Sequence, residues 1–526
     1  MRQSAVAIRN SMFGLASQAV STVIALALAP YIIRRIGTAD YTGEQAFGVY
    51  LLAFGLLTAV EAIRDAVART NLVTVARCRE SGDYGQINRT VSASVLAMLV
   101  AGVLCLLVLG GGGEVVFRLL EITPSLHAQT LLVMLIVGVT GLVSFPMHPY
   151  QGVVWGSQRM DIAYSVMIAM NLLRLVAIVA IFQLGGANVL VVAAATAGAL
   201  VGTQLVTMLF AGRILPQLQV SLRGVRREDF SSLVRFGGYL VIAQVLVSLD
   251  VQVFQWVAGR TLGVGAVTLL WFNMVVLDLS IKLVQQVGVV LVPVAARYHE
   301  LKQGELMQQT LRQGSRIAVM VASVALCGLL PCMDVFLSLW QGPQYAWLAP
   351  YGVIIGCVAI VTTSSNCAYQ MLQGMGNSRA SLVATASSLA GGATTAIVAC
   401  GPLGLGYGGL IAGVAVSQLL RWGVLMALAK RHIGGSMLQL GYRAYLQPVA
   451  AFVLAAGAVV LLRYVVDALQ WRWGWLMLLA MMAGGVLLYA LAVCPMLSAF
   501  ERQLLRELLV KLRLAKPSIK QPGDGR

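Results

Sequence analysis

Charge is scarce in this chain: only 11% of its 526 residues are Asp, Glu, Lys or Arg, against roughly a quarter in an average soluble domain. So few charges cannot cover a water-soluble globule. Polar linkers are missing too, although a soluble chain of this length would ordinarily need them to separate several domains. A P-loop of the form Gly-x-x-x-x-Gly-Lys-Ser/Thr is absent, so nothing here points to ATP-driven transport by the chain alone. The 8 cysteines (Cys78, Cys105, Cys327, Cys332, Cys357, Cys367, Cys400, Cys494) are scattered, mostly within apolar runs. They lack the paired spacing of a zinc or disulfide framework. His127, His148, His299 and His432 are equally isolated in sequence. These gaps leave no catalytic residue, metal site or cofactor to assign, and no lipidation motif is visible.

What is present is hydrophobicity, at 59% of positions, arranged in repeated runs of the length needed to cross about 30 Å of hydrocarbon. Bounding the runs by charges, Gly or Pro predicts spans near 10–33, 46–68, 90–110, 128–148, 162–184, 188–212, 236–258, 266–293, 314–335, 349–373, 380–402, 405–429, 447–466 and 472–495. The fold class is therefore all-α, a polytopic membrane protein of about fourteen transmembrane helices. Arg2 and Arg9 before an apolar run ending at Pro30 look superficially like a secretory signal. The run is long enough to span and many similar runs follow, so it reads as a retained first helix.

Basic residues are distributed asymmetrically between the two sets of connections. One side carries Arg69, Arg77, Arg79, Arg89, Arg223, Arg226, Arg227, Arg297, Lys302, Arg312, Lys430 and Arg431, with the N-terminus and the tail. The other carries Arg34, Arg35, Arg118, Arg260, Arg463 and Arg472. Positive-inside asymmetry puts both termini of the multi-pass chain in the cytoplasm. The net charge of +17 is then an orientation signal facing membrane lipids rather than a nucleic-acid footprint. In the tail, Phe500, Leu504, Leu505, Leu508 and Leu509 alternate with Arg502, Arg506, Lys511 and Arg513. That pattern predicts an amphipathic helix on the inner leaflet.

An internal repeat organises the spans. Tyr150-Gln151, Gly156 and Arg159 recur as Tyr369-Gln370, Gly376 and Arg379, and Gly186 and Leu190 recur as Gly406 and Leu410. Four of these pairs share an offset of 220 residues. The expected division is a six-helix bundle over 1–215, a cytoplasmic linker over 216–235, a second six-helix bundle over 236–435, two accessory helices over 436–496 and a basic tail over 497–526. Two bundles of like orientation imply a central cleft and alternating access by rocking.

At this point the chain resembles the polysaccharide-transport branch of the multidrug/oligosaccharidyl-lipid/polysaccharide exporter superfamily, which includes O-antigen and exopolysaccharide repeat-unit flippases. The residues that carry the resemblance are Pro30-Tyr-Ile-Ile-Arg-Arg-Ile-Gly37, Gly82-Asp-Tyr84, Gln151-Gly152, Gly156-Ser-Gln-Arg159, Phe236-Gly237 with Asp250, Gln373-Gly-Met-Gly376 and Gly404-Leu-Gly-Tyr-Gly-Gly409. They span roughly residues 5 to 435. Thr42-Gly-Glu-Gln-Ala46 departs from the pattern as an insertion before the second span. The resemblance implies translocation of a polyprenyl-pyrophosphate-linked oligosaccharide or exopolysaccharide precursor between leaflets. It also implies membrane lipids, a lipid-linked glycan and polysaccharide synthesis or export proteins as partners.

Ionisable residues within spans are costly and should face a cavity or pair with one another. At 1.5 Å per residue Arg174 lies about 18 Å into the fifth span, Asp278 about 18 Å into the eighth and Asp250 about 21 Å into the seventh. Arg174 and Lys282 are candidate substrate ligands, since a guanidinium donates a bidentate fork to phosphate oxygens. Lys282 follows Asp278 by one turn, so mutual neutralisation with Asp250 nearby is the competing reading. Glu61, Arg64 and Asp65 share one face near the end of the second span. There they form a gate, a headgroup access point with Arg64 as ligand, or only a solvated helix end. Coupling to H+ or Na+ would require a carboxylate, for which Asp250 and Asp278 are the candidates. Arg421 reads as snorkelling toward an interface. Thr362-Thr-Ser-Ser-Asn366 and Ser387-Ser388 are either a sugar-facing surface or ordinary helix-packing residues.

A membrane glycosyltransferase would need a large extramembrane loop with paired carboxylates or a metal motif, and the longest connections are short and basic. A multidrug cation antiporter of the same superfamily, or a structural subunit of an export complex, are the alternatives to a flippase.

Overall fold

The computed structural model describes residues 2–221, 227–288, 291–434, 442–497 and 502. Among them the only regular structure is helical. Thirteen helices among the described residues are long and apolar enough to cross a membrane, and Arg227–Leu262 forms a further helix of 36 residues. The tail segment expected to be amphipathic, and the centre of the 216–235 linker, lie outside the described residues.

The first half comprises α1 (Arg2–Ile36), α2 (Gly43–Ser81), α3 (Tyr84–Gly111), a short α4 (Gly113–Leu120), α5 (Pro124–Ser144), α6 (Pro149–Gly156), α7 (Met160–Gln183) and α8 (Val189–Ile214). The second runs through α9 (Arg227–Leu262), α10 (Val264–Gly288), α11 (Leu291–Glu300), α12 (Gly304–Leu326), α13 (Met333–Trp340), α14 (Ala349–Thr362), α15 (Ser365–Gly374), α16 (Ser378–Cys400) and α17 (Gly406–Ile433). Two further helices follow, α18 (Gln447–Ala468) and α19 (Trp475–Val493).

The two halves break their fourth span in the same place. Pro146 cannot donate into the helical ladder, and residues Phe145–Met147 tighten into a 3-10 turn before α6. In the second half α14 gives way to α15 at Thr363-Ser364. Tyr150-Gln151 and Tyr369-Gln370 lie just past these breaks. The starts of α7 and α16 differ by 218 residues and those of α8 and α17 by 217, so the structural register is two or three short of the sequence offset. The reason is local. Gly156 ends a helix packed on α2, where an added Cβ would meet Leu72 O at 2.8 Å. Gly376, at φ 76°, takes instead the left-handed position that Gln158, at φ 59°, holds in the first half.

Contacts divide the chain into two compact units, 1–276 with 372–428 and 277–371 with 429–526. In the first unit α2 and α9 cross closely because α2 presents glycine. A Cβ at Gly55 would lie 2.0 Å from Gln252 Oε1 on α9, and one at Gly48 would lie 2.2 Å from O of Val264, the first residue of α10. The inserted Thr42–Ala46 segment extends this clasp onto α10. Thr42 and Gln45 close a reciprocal capping box at the head of α2, Thr268 donates to Glu44 O at 2.8 Å, and Phe47 meets Trp271 edge-on at 5.6 Å. Arg260 on α9 pairs with Glu121 just past α4.

In the second unit α18 and α19 are fastened into the bundle rather than appended to it. Arg463 forks onto both Asp334 oxygens at 2.7 and 2.6 Å and donates to Pro331 O at 2.8 Å. Arg316 donates to Gln447 Oε1 and to Met496 O, each at 2.6 Å. Between these two clamps Gly328 and Gly485 let backbones touch: a Cβ on Gly328 would meet Met482 Cα at 2.5 Å.

Candidate functional site

Arg174 is positioned by α7. Leu172, Leu173 and Val176 are exposed at 45%, 59% and 61% and form an apolar outer face, whereas Ile178 and Phe182 are buried. Asn171, Arg174, Ile178 and Phe182, at helical spacing, share the inner strip. That strip faces α1, since Asn171 Nδ2 donates to Ser21 Oγ at 3.3 Å and Phe182 stacks on Tyr31 at 5.8 Å. Arg174 lies between those two contacts, half-buried. Its Nε is shielded and makes no hydrogen bond, and among the described residues no carboxylate pairs with it. The side chain is thus held inside the first bundle, on the face turned to α1.

The other intramembrane charges are matched. Asp250, 4% exposed, pairs with Arg421 at 3.4 Å and accepts from Ser417 Oγ at 3.1 Å. Arg421 also reaches Thr385 Oγ1 at 3.4 Å. A carboxylate of α9 is thereby tied to α16 and α17 through the guanidinium that the sequence suggested was snorkelling. Lys282 and Asp278 pair with each other at 3.5 Å, one turn apart and 41% and 60% exposed. Asp250 therefore takes its counter-charge from α17.

Near the middle of α2, Arg64 is half-buried and Asp65 exposed; the side chain of Glu61 lies outside the described residues. Asp65 Oδ1 is 3.5 Å from Nε2 of His148, a histidine isolated in sequence and 1% exposed here. Sequence reasoning passed over His148 because its partner lies across the bundle. The one available signal was its place beside Pro146 and Pro149, where a broken helix turns side chains inward. Beneath it Asn71 donates to Pro149 O at 3.2 Å and accepts from Ser94 at 3.0 Å, tying α2 and α3 to the break.

The hydroxyl-rich stretches are mostly satisfied by their own helices. Thr362, Ser364, Ser365, Ser387 and Ser388 donate to carbonyls three or four residues back at 2.6–3.0 Å. Ser364 also meets Tyr445 OH at 2.7 Å. These are packing residues by geometry.

No family model matches the chain. It is 20% identical over 467 residues, 88% of this chain and 90% of the relative, to the membrane protein EpsK of Bacillus subtilis (strain 168). Among solved structures it is similar to the lipid II flippase MurJ in an inward closed conformation, with a TM-score of 0.68 at 10% identity over 95% of this chain and 100% of that one. It is also similar to an inward-facing multidrug resistance MATE family transporter of the MOP superfamily, with a TM-score of 0.67 at 16% identity over 79% and 94%. A third is a MOP superfamily transporter from Pyrococcus furiosus described by the reverse polarity of its binding pocket, with a TM-score of 0.61 at 18% identity over 81% and 95%. The three solved structures are of two transporters and a flippase, and this chain has the polytopic all-α fold they share.

Proposed function

We propose that the chain translocates a polyprenyl-pyrophosphate-linked oligosaccharide or exopolysaccharide precursor across the bacterial inner membrane, with Arg174 as a contact for the anionic headgroup. The observation that carries this reading is a half-buried guanidinium at mid-span with no carboxylate partner among the described residues, where Asp250, Asp278 and Asp334 each have a cationic one. An intramembrane cation left without a protein counter-ion is stabilised by an anionic ligand. Arg suits a pyrophosphate because its fork makes parallel charge-assisted hydrogen bonds.

In this reading both termini face the cytoplasm, so the α2–α9 clasp lies toward the outside. The headgroup enters from the inner side and leaves when the clasp opens. Arg64, beside Asp65 on α2, is a second contact for the approaching headgroup, with Glu61 and Asp65 as gating carboxylates. Lys282 and Asp278 form an exposed pair able to exchange a partner with substrate, whereas Asp250, locked to Arg421, is a structural charge.

The experiment is reconstitution in vesicles with a fluorescent polyprenyl-pyrophosphate oligosaccharide, comparing wild type with Arg174→Ala. The variant is expected to insert and fold but to move substrate at least tenfold more slowly. Equal rates remove Arg174 from the site. Movement of a cationic dye with no movement of the glycan replaces the flippase reading with the multidrug one.

A further inference from the structure

We propose that His148 and Asp65 form a proton-binding site in the first bundle, the buried imidazole holding the proton and the half-exposed carboxylate connecting it to water. The inference rests on the transport reading above and names its coupling ligand.

The geometry is that of a pair built to change state. His148 is 1% exposed, and neither of its ring nitrogens makes a hydrogen bond among the described residues. Gln204 on α8, also buried, has an unsatisfied Oε1. The Asp65 side chain is 53% exposed, and its Oδ1 stands 3.5 Å from Nε2, too far for a well-formed hydrogen bond. A neutral imidazole thus leaves buried polar atoms unmatched, a condition that favours a change of partner. When a proton adds, an N–H bond forms at Nε2, a hydronium ion beyond the carboxylate gives up the proton and becomes water, and the imidazolium donates to Asp65. Histidine is the side chain whose ordinary titration falls within the physiological range.

The groups that share this site are few. From α2 come Asp65 and Arg64, which both act electrostatically on the ring, and Arg69, which acts on Asp65. The same helix supplies the uncharged Asn71, with Ser94 of α3 behind it, and α8 supplies Gln204. From α7, Asp161 is already paired with Arg159 at 3.3 Å.

The consequence lies in α2. Asp65 belongs to the same 39-residue helix whose N-terminal part forms the clasp with α9 and α10, and Gly152 of α6 sits directly on it: an added Cβ there would lie 2.4 Å from Ala68 O. Closing the His148–Asp65 gap pulls α2 toward α6, and proton release frees it. Proton occupancy therefore biases the helix that carries the gate.

The test uses the full chain in lipid nanodiscs with carbon-13-labelled histidine, only 4 rings in all. One ring signal, absent from His148→Gln, is expected to titrate, the protonated ring appearing as the pH is lowered. Its midpoint is expected to move by about one pH unit in Asp65→Asn. If His148→Gln does not fold, the Asp65→Asn shift alone identifies the ring, because the other three histidines have no contact with Asp65 among the described residues. A ring that fails to titrate, or a midpoint indifferent to Asp65→Asn, overturns the proposal. In parallel, glycan translocation is measured in vesicles under an imposed pH gradient. Gradient-dependent movement lost in His148→Gln supports the site. Gradient-independent movement by the wild type overturns the site as a coupling element. Titration with no glycan movement at all removes the flippase reading instead.

Discussion

Replacing Arg421 by Gln strands a carboxylate. Asp250 is 4% exposed, its pairing oxygen is 3.4 Å from the guanidinium, and the one remaining donor is Ser417 at 3.1 Å. Removing one partner from a buried ion pair costs about 3–5 kcal/mol because the other charge stays desolvated. Part of that penalty is avoided if the orphaned acid takes up a proton, so the lower end of the range applies. The double variant Asp250→Asn/Arg421→Gln strands no charge and is expected to lie within about 1–2 kcal/mol of wild type, the net value of one or two neutral hydrogen bonds. The exposed pair gives the internal control: Lys282 and Asp278 are 41% and 60% exposed, and exposed pairs contribute about 0–1 kcal/mol. Reversible unfolding in mixed micelles, followed by tryptophan fluorescence, measures all four proteins. The reasoning is refuted if Arg421→Gln is no more destabilising than Lys282→Gln, or if the double variant is as unstable as the single one.

Further expectations follow from the glycine contacts. At Gly48 an added Cβ would meet a backbone carbonyl, whereas at Gly55 it would meet the mobile end of Gln252. Gly48→Ala is therefore expected to destabilise by about 1–3 kcal/mol, as overpacking does, and Gly55→Ala by clearly less. Equal losses in the same unfolding assay would contradict the asymmetry. Gly328→Val is expected to separate α12 from α19, because the blocking atoms are Met482 backbone, and to lower the thermal midpoint of the purified protein. An unchanged midpoint would mean that the close approach is not required. Arg463→Lys keeps the charge but loses the fork onto Asp334, and is expected to recover only part of the stability lost in Arg463→Ala.

Much of the fold was legible because it is written in hydropathy. Runs long enough to span, bounded by Arg and Gly, locate the helices whatever they pack against. What hydropathy does not report is a break inside a span. The sequence reading took 314–335 and 349–373 as single helices, while the chain folds there as α12 with α13 and α14 with α15; Pro331 and the Thr363-Ser364 junction leave the hydrophobicity unchanged. The repeat was visible, but its register was misjudged because Gly156 and Gly376 match in identity and not in role, one serving close packing and the other a left-handed turn. The intramembrane charges could be enumerated from sequence and not paired. Asp278 and Lys282, one turn apart, were readable as partners. Asp250 and Arg421, or Asp65 and His148, are far apart along the chain and meet only through packing. The insertion before α2 departs from the family pattern, and the structure makes it the capped head of α2, packed against α10.

The central claim is that Arg174 takes an anionic headgroup. Equilibrium binding of a polyprenyl-pyrophosphate oligosaccharide to the purified protein tests it most directly, with Arg174→Gln and Arg174→Lys beside the wild type. Loss of hydrogen bonds to a charged group, about 1.5–3 kcal/mol, predicts at least a tenfold weaker affinity for Arg174→Gln, with Arg174→Lys intermediate. Affinity that is the same in all three proteins would contradict the account.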